Sequence, residues 1–186
     1  MTILRRCEQP AKLNWLGDNV DVHRCPRTCA HGRAKTLTMP GIHEIHRVPY
    51  SAEQMFDLVA DVARYPEFLP WVVATRVKSD NGREMVADML VGFKALREKF
   101  TSRVEKRRPA EIRVHYVDGP MRDLDNRWTF HPFNETSCEV EFDVHFSFRN
   151  VLFEKLAGQY FDKAFRKMVV AFEERAAQLY GAPLES

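Results

Sequence analysis

Cysteine and histidine, which often serve as metal ligands, are concentrated near the start of the chain. Cys25, Cys29 and His31 lie close together, with Cys7 and His23 nearby. Their spacing matches no standard zinc knuckle, and no second closely spaced cysteine pair follows to complete a tetrahedral site. The sequence therefore predicts neither a metal site nor a metal cofactor.

Acid–base catalysis would need polar groups that converge inside the protein. By the alternation of apolar and polar residues, only Glu98, Ser102 and Asn126 fall among apolar neighbours, whereas His115 and His145 fall on the solvent side. No nucleophile with a nearby base and no glycine-rich phosphate loop follows residue 38. A lone polar residue on an apolar face is usually hydrogen-bonded core, and a buried Glu98 would need a neighbouring Arg or Lys. We therefore expect no catalytic residues and no enzyme.

Large apolar side chains offer a different chemistry, the binding of an apolar ligand in an internal cavity. The methionines among them are adaptable enough to surround a variable guest. The alternative is that these residues pack an ordinary core, and we expect about half of them to touch ligand. The candidate ligand-binding residues are Phe56, Leu69, Trp71, Met85, Met89, Phe100, Tyr116, Trp128, Phe146, Tyr160, Phe161, Phe165 and Met168.

A long amphipathic helix is the element that would hold this cavity in place. Apolar residues recur at steps of three and four from Val151 to Tyr180, charged residues fill the other faces, and Gly181 with Pro183 provides a stop signal. Such a helix would be about 40 Å long. Its aromatic face needs a broad apolar partner, which only a sheet upstream can provide.

Period-two alternation predicts that sheet. A short strand begins at Ile42, a capping box of Ser51 and Gln54 starts a helix over 52–60, and prolines cut a second helical piece into turns. Six alternating segments follow Trp71, separated by turn signals such as Asn81-Gly82. The prediction is an α+β fold: a curved antiparallel sheet of about seven strands, two short helices and one long C-terminal helix.

Residues 1–38 differ in composition from the rest of the chain. They contain seven basic and three acidic residues and show no apolar periodicity. We expect a disordered tail or an upstream-start extension. Residues 39–181 then form one domain.

Composition limits where the protein works and what it binds. The formal net charge is +2, from 28 basic and 26 acidic residues that are interspersed along the chain. This balance argues against a dedicated DNA-binding protein. No apolar run is long enough for a membrane span or a signal peptide, and the cysteines fit no disulfide framework. We expect a soluble cytoplasmic protein in a reducing compartment.

Two surface features suggest partners. The turn around Phe93, Lys94, Leu96 and Arg97 is apolar where turns are normally polar, which predicts a membrane or partner contact unless Phe93 folds back as core. A basic cluster on neighbouring strands suggests RNA or anionic lipid, although an ordinary solvated face is the simpler interpretation. Its members are Arg97, Lys99, Arg103, Lys106, Arg107, Arg108 and Arg113.

Several segments resemble the coenzyme Q-binding START-domain proteins of the polyketide cyclase/lipid-transport superfamily. The most specific is Tyr65-Pro66-Glu67-Phe68-Leu69-Pro70-Trp71, and the resemblance covers about residues 40–180. The other segments are 49–51, 56–62, 93–104, 128–130 and 153–172. Residues 1–38 match nothing in the family.

This resemblance implies a helix-grip (START/Bet v 1-like) fold whose cavity holds ubiquinone or a related isoprenoid lipid. It implies a carrier or chaperone in quinone biosynthesis or respiration, with ubiquinone as bound ligand rather than cofactor. The protein would be cytoplasmic and peripheral at the inner membrane, or in the mitochondrial matrix if eukaryotic. The same motifs occur in ribosome-associated toxins that bind the large subunit, and other superfamily members are polyketide cyclases or aromatases. These two remain alternatives.

Overall fold

The alternating segments form a seven-stranded antiparallel sheet, as the sequence predicts. The computed structural model describes residues 41–93 and 96–181, without the side chains of Phe93, Leu96 and 151–162. The expectations for residues 1–38 and for Lys94 therefore lie outside the described part. The strands are β1 Gly41–Val48, β2 Val72–Asp80, β3 Glu84–Phe93, β4 Leu96–Arg107, β5 Glu111–Asp118, β6 Met121–Asn134 and β7 Ser137–Phe148. The helices are α1 Ala52–Ala60, α2 Tyr65–Phe68 and α3 Val151–Tyr180, with a 3-10 turn over Val62–Arg64.

The strand order is β1-β7-β6-β5-β4-β3-β2, so the chain runs as a meander whose first strand joins the far edge beside β7. The β2–β3 turn shows how local chemistry sets the register. Asn81 Oδ1 accepts hydrogen bonds from the backbone N–H groups of Arg83 and Glu84 at 2.9 and 2.7 Å. Gly82 follows Asn81 with φ of +87°, a conformation that glycine adopts without steric cost.

Helix α1 begins with the predicted capping box. Ser51 Oγ accepts from the Gln54 N–H, and Gln54 Oε1 accepts from the Ser51 N–H. Its buried face, which includes Met55 and Phe56, packs on the sheet. Asp61 precedes the next helical piece, but its side chain makes no capping hydrogen bond there and pairs with Arg64 at 3.4 Å.

Helix α3 has the predicted bounds and lies against the concave face of the sheet. Phe172 contacts Tyr65 and Phe68 edge-on, with ring centroids 5.6 and 5.1 Å apart. Phe165 stacks on Phe142 of β7 at 5.3 Å. A helix gripped by a curved sheet in this way confirms the helix-grip architecture.

Strand β6 contains a proline, Pro132, and continues past it to Asn134. Pro132 pairs with Cys138, and the register shifts between Pro132 and Asn134. A proline cannot donate to the ladder, and a register irregularity is one of the places where strands accommodate it. The strand therefore extends three residues beyond His131.

The close-packed core fills one end of the space between helix and sheet. Among its most deeply buried residues, with at most 2% of their surface exposed, are Phe130, Met85, Ile112 and Cys138. Burial raises the pKa of the Cys138 thiol to about 11, so it remains protonated at neutral pH. The other end is not filled to the same density, and a cavity remains there.

Candidate functional site

An apolar cavity of about 270 Å³ lies between the concave face of the sheet, α2 and α3. Most of its wall comes from inward-facing strand residues, whose side chains alternate with those on the outer face. The residues that line it are Val59, Val62, Tyr65, Leu69, Trp71, Val72, Met89, Val91, Phe100, Ser102, Val104, Ile112, Val114, Leu124, Asn126, Trp128, Phe142, Val144, Ala164, Phe165, Met168 and Phe172.

The structure brings seven of the predicted ligand-binding residues to this wall. They are Leu69, Trp71, Met89, Phe100, Trp128, Phe165 and Met168. Tyr160 and Phe161 fall among the α3 residues whose side chains are not described. Whether the seven touch a ligand stays a prediction.

Four of the predicted residues lie off the wall. Phe56 packs edge-on against Phe130, with centroids 5.8 Å apart, and Met85 is also in the close-packed core. Phe146 belongs to a second apolar cluster, and Tyr116 is half-buried beside the cavity. Phe56 lies on α1. For the other three, alternation gives the correct face of the strand, but it does not tell which end of the strand meets the cavity.

Residues of the segment between α1 and β2 were missed as wall residues. Val62 and Tyr65 line the cavity, and Tyr65 Oη donates a 2.6 Å hydrogen bond to the carbonyl of Val59. The signal was present in the Tyr-Pro-Glu-Phe-Leu-Pro-Trp run, which folds this segment across the cavity. Short helical turns have no long period from which their buried side could be derived.

Two polar side chains interrupt the apolar wall. Ser102 on β4 is only 4% exposed and Asn126 lies on β6, with β5 between them. Asn126 Oδ1 is buried and has no hydrogen-bond partner among the described residues. Ser102 and Asn126 form a small polar patch on the floor of the cavity. Tyr116, which lies opposite Ser102 in the β4–β5 ladder and beside the cavity, also has a buried hydroxyl without a partner among the described residues.

The cavity wall offers little for acid–base chemistry. Tyr65 is the only titratable residue among the wall residues that the structure describes. Burial, followed by the nearby charge of Asp61, raises the pKa of the Tyr65 phenol well above its usual range. The phenol of Tyr65 therefore stays protonated at neutral pH. The wall as a whole is apolar, which suits the binding of an apolar ligand.

We infer that the cavity opens at the end of the sheet where β3 meets β4, and we call this opening the mouth. Trp71, Val91, Phe100, Leu124 and Ala164 line the cavity and keep part of their surface exposed. Trp71 belongs to the same end, because its carbonyl accepts from Gly92 N–H at 2.8 Å. Glu98, which pairs with Val91 across the strands, is half-buried here and makes no ion pair with the side chains that the structure describes.

The basic cluster expected on the sheet is largely neutralised. Lys106 pairs with Asp80 at 2.7 Å, and Arg108 pairs with Asp57 at 2.8 Å. Arg107 and Arg113 both contact Glu111, at 3.2 and 2.7 Å. Only Arg97 and Arg103 of the seven lack a carboxylate partner within the described part of the chain. Glu111 is close in sequence to its two partners, whereas Asp80 and Asp57 come from distant elements, so their pairing with Lys106 and Arg108 could not be predicted from the sequence.

A buried carboxylate organises the outer face of β2, β3 and β4. Asp88 contacts Lys78 Nζ at 2.6 Å, Lys99 Nζ at 2.8 Å and Thr101 Oγ1 at 2.6 Å. These hydrogen bonds, the one from Lys78 first, hold the pKa of Asp88 well below its usual range. Asp88 is therefore ionised and fully paired, which indicates a structural role.

Neither a metal cluster nor a spanning helix occurs in 41–93 and 96–181. His131 and His145 on the outer face contact Glu141 and Asp143 at 3.0 and 3.1 Å, but no group of three such residues is arranged to hold an ion. The hydrogen bond from His131 lowers the pKa of Glu141. No helix in these ranges is long and apolar enough to cross a membrane.

Comparison with known sequences identifies relatives over most of the domain. Residues 48–173 match the family described as polyketide cyclase/dehydrase and lipid transport. Ribosome association toxin RatA of Escherichia coli is 37% identical over 146 residues, covering 78% of this chain and 92% of that protein. Coenzyme Q-binding protein COQ10 homolog B of Xenopus laevis is 34% identical over 136 residues, covering 71% of this chain and 56% of that protein.

Solved structures show the same fold. The 18 kDa protein CC1736 from Caulobacter crescentus is 36% identical, with a TM-score of 0.64, over 77% of this chain and 100% of that chain. The Zhui aromatase/cyclase of Streptomyces superposes with a TM-score of 0.68 at 13% identity, over 78% of this chain and 99% of that chain. At that identity the second likeness concerns the fold alone.

Proposed function

This chain belongs to the polyketide cyclase/dehydrase and lipid transport family, and we propose that it binds an apolar small molecule in its internal cavity. The ligand class that we favour is ubiquinone or a related isoprenoid quinone. The protein would act as a carrier or chaperone for quinone biosynthesis or respiration, and not as an enzyme.

The observation that carries this proposal is an apolar wall with a small polar patch. A quinone ring presents an apolar face and oxygen acceptors at opposite ends. Ser102 and Asn126 lie two strands apart on the cavity floor, about 10 Å between backbones. The Ser102 hydroxyl and the Asn126 amide could each donate a hydrogen bond to one end of such a ring. A plain hydrocarbon ligand would use neither of these donors.

The size of the cavity limits how much of the ligand it can enclose. Its volume of about 270 Å³ is slightly below the roughly 300–1,000 Å³ of ordinary small-molecule pockets. Burying about 200 Å² of apolar surface would contribute about 5 kcal/mol, whereas micromolar affinity requires about 8 kcal/mol. We therefore place the ring inside and the isoprenoid tail through the mouth, where further contacts raise the affinity.

The test measures binding in solution. Protein expressed in a ubiquinone-producing host should yield quinone on solvent extraction, detected by mass spectrometry. The apo protein should then be titrated with ubiquinone analogues that have no tail, a short tail and a long tail, with Trp71 and Trp128 fluorescence as the readout. Affinity should increase with tail length. Quinone-free extracts, together with no binding of any analogue, would exclude the proposal.

Association with the ribosome is the second candidate function. It is favoured by the resemblance to ribosome association toxins, which are 36–40% identical to this chain. Co-sedimentation with isolated ribosomal subunits on a sucrose gradient would test it directly. Binding to the large subunit by both quinone-free and quinone-loaded protein would make this the principal function.

A further inference from the structure

Six exposed cations surround the mouth of the cavity. Lys163, Arg166 and Lys167 lie on the solvent-facing side of α3 at the level where Ala164, Phe165 and Met168 line the wall. Arg97 pairs with Gly92 across the strands, next to Val91 of the mouth. The complete set, which we call the mouth collar, is Arg97, Arg122, Arg149, Lys163, Arg166 and Lys167.

The last two members reach the same end of the sheet through the backbone. Arg122 follows Met121 and lies two residues before Leu124 of the wall. The Arg149 N–H donates to the carbonyl of Pro120, at the start of β6. The collar therefore comes from four elements or connections that meet where the cavity opens.

The collar differs from the rest of the surface in how its charges are paired. None of its six cations makes an ion pair with another described residue. Away from the mouth, most cations are neutralised by a carboxylate within 3.4 Å. These are Arg64, Lys78, Lys99, Lys106, Arg107, Arg108, Arg113, Arg127 and Arg175.

The net charge at the mouth stays positive when acids are included. Glu98, Asp118 and Asp123 are the acids described near this end. The positive field is therefore concentrated at the mouth of an apolar cavity.

We propose that the mouth collar docks the protein onto an anionic lipid bilayer, with the cavity mouth facing the membrane. This inference rests on the proposed function, because an isoprenoid ligand dissolves in bilayers and must enter the cavity from one. Unpaired cations around an apolar opening suit a surface with acidic head groups above a hydrocarbon layer. An RNA partner would explain the charge but not its position around the opening.

The docking experiment uses the full chain and vesicles of phosphatidylcholine, with or without phosphatidylglycerol. The parent should bind only the anionic vesicles and dissociate as salt is raised. The triple variant K163Q/R166Q/K167Q should bind on the order of a hundredfold more weakly, at about fivefold for each charge removed. Glutamine is a good helix former, so α3 should remain intact.

The matched control removes the same charge away from the mouth. Arg76, Arg83 and Arg103 are exposed and make no ion pair within the described residues, so R76Q/R83Q/R103Q should bind anionic vesicles as the parent does. Equal losses in both triple variants, or no preference of the parent for anionic vesicles, would overturn the proposal. Loss of RNA binding by the collar variant, with vesicle binding unchanged, would overturn it in favour of a nucleic acid.

Quinone binding is measured separately, in vesicle-free solution. The collar variant should keep the quinone affinity of the parent, because its three substitutions are on the outer side of α3. If the parent fails to bind quinone but still docks on anionic vesicles through the collar, the proposed ligand is wrong and the docking surface stands. If it binds quinone but does not bind anionic vesicles, the proposed ligand stands and the docking surface is wrong.

Discussion

Asn126 is the residue whose environment most needs a ligand. Its amide lies in an apolar cavity, and its oxygen has no partner among the described side chains and backbone groups. A buried polar group without a hydrogen bond costs about 1–3 kcal/mol. A ligand group that donates a hydrogen bond to this oxygen would recover part of that cost, whereas a quinone carbonyl can pair only with the amide N–H of Asn126.

Replacing Asn126 by leucine should therefore separate stability from binding. The variant Asn126→Leu keeps the side-chain volume, so the free energy of unfolding should stay the same or increase. Quinone affinity should fall about fivefold to tenfold, the equivalent of one lost hydrogen bond. A hydrocarbon analogue without ring oxygens should bind parent and variant equally well. Equal losses for both ligands would show that Asn126 acts through shape alone.

Asp88 gives a pH-dependent prediction on the outer face. Its pKa is lower in the folded protein than in the unfolded chain, so its ionised form stabilises the fold. This stabilisation is complete above about pH 4, the unfolded value, and is lost as the pH falls through the folded-state pKa.

The variant Asp88→Asn should cost about 1–2 kcal/mol of unfolding free energy at neutral pH, a value kept small by the exposure of Lys78 and Lys99. Denaturant titrations at several pH values should show the difference from the parent shrinking as the pH falls below 4. Asp118→Asn serves as the control, because exposed Asp118 makes no ion pair with the described residues. A pH-independent deficit would point to packing instead of charge.

At the scale of elements, α3 has one face in the core and one in solvent. Phe172 is 5% exposed and touches rings of Tyr65, Phe68 and Trp128, whereas Val170 is 50% exposed. Phe172→Ala should destabilise the protein by about 3–5 kcal/mol, and Val170→Ala by less than about 0.5 kcal/mol. If denaturant titrations gave the two variants a similar loss of unfolding free energy, Phe172 would not be packed in the core.

The elements were largely predictable because each has a strong local signal. The bounds of α1 and α3 follow from a capping box, a 3.6-residue period and a terminal glycine, and Asn81-Gly82 predicts its turn. The end of β6 could not be predicted in this way, because Pro132 sits at a register shift that only its partner strand defines. About half of the predicted ligand-binding residues line the cavity. Phe56 and Phe100 show the same apolar signal in the sequence, but Phe56 lies in the close-packed core and Phe100 lies in the cavity wall.

At the scale of the whole molecule, the space under α3 is divided between a close-packed core and a cavity. A ligand that occupies the cavity should stabilise the folded state as a whole. With quinone at about a hundred times its Kd, the gain should be about 2.7 kcal/mol. Thermal unfolding with and without quinone measures it.

The variant Ala164→Phe fills the cavity and should abolish this gain, because Ala164 is part of the wall. The matched variant Val170→Phe adds an aromatic ring on the exposed side of α3 and should keep the gain. Stabilisation of Ala164→Phe by quinone, equal to that of the parent, would mean that the ligand binds elsewhere.

The pairing of β1 with β7 also determines the order in which the protein can assemble. Partner positions in these strands are at least 90 residues apart, as between Val48 and Cys138. Strands β2 to β7 each meet their neighbour through a nearby turn, so their contacts form at a smaller entropic cost. During synthesis β1 emerges first yet stays unpaired until β7 has followed it. Pulse-labelling hydrogen exchange should accordingly find the amides of β1 among the last to be protected, so that β1 is exposed longest to non-native strand pairing.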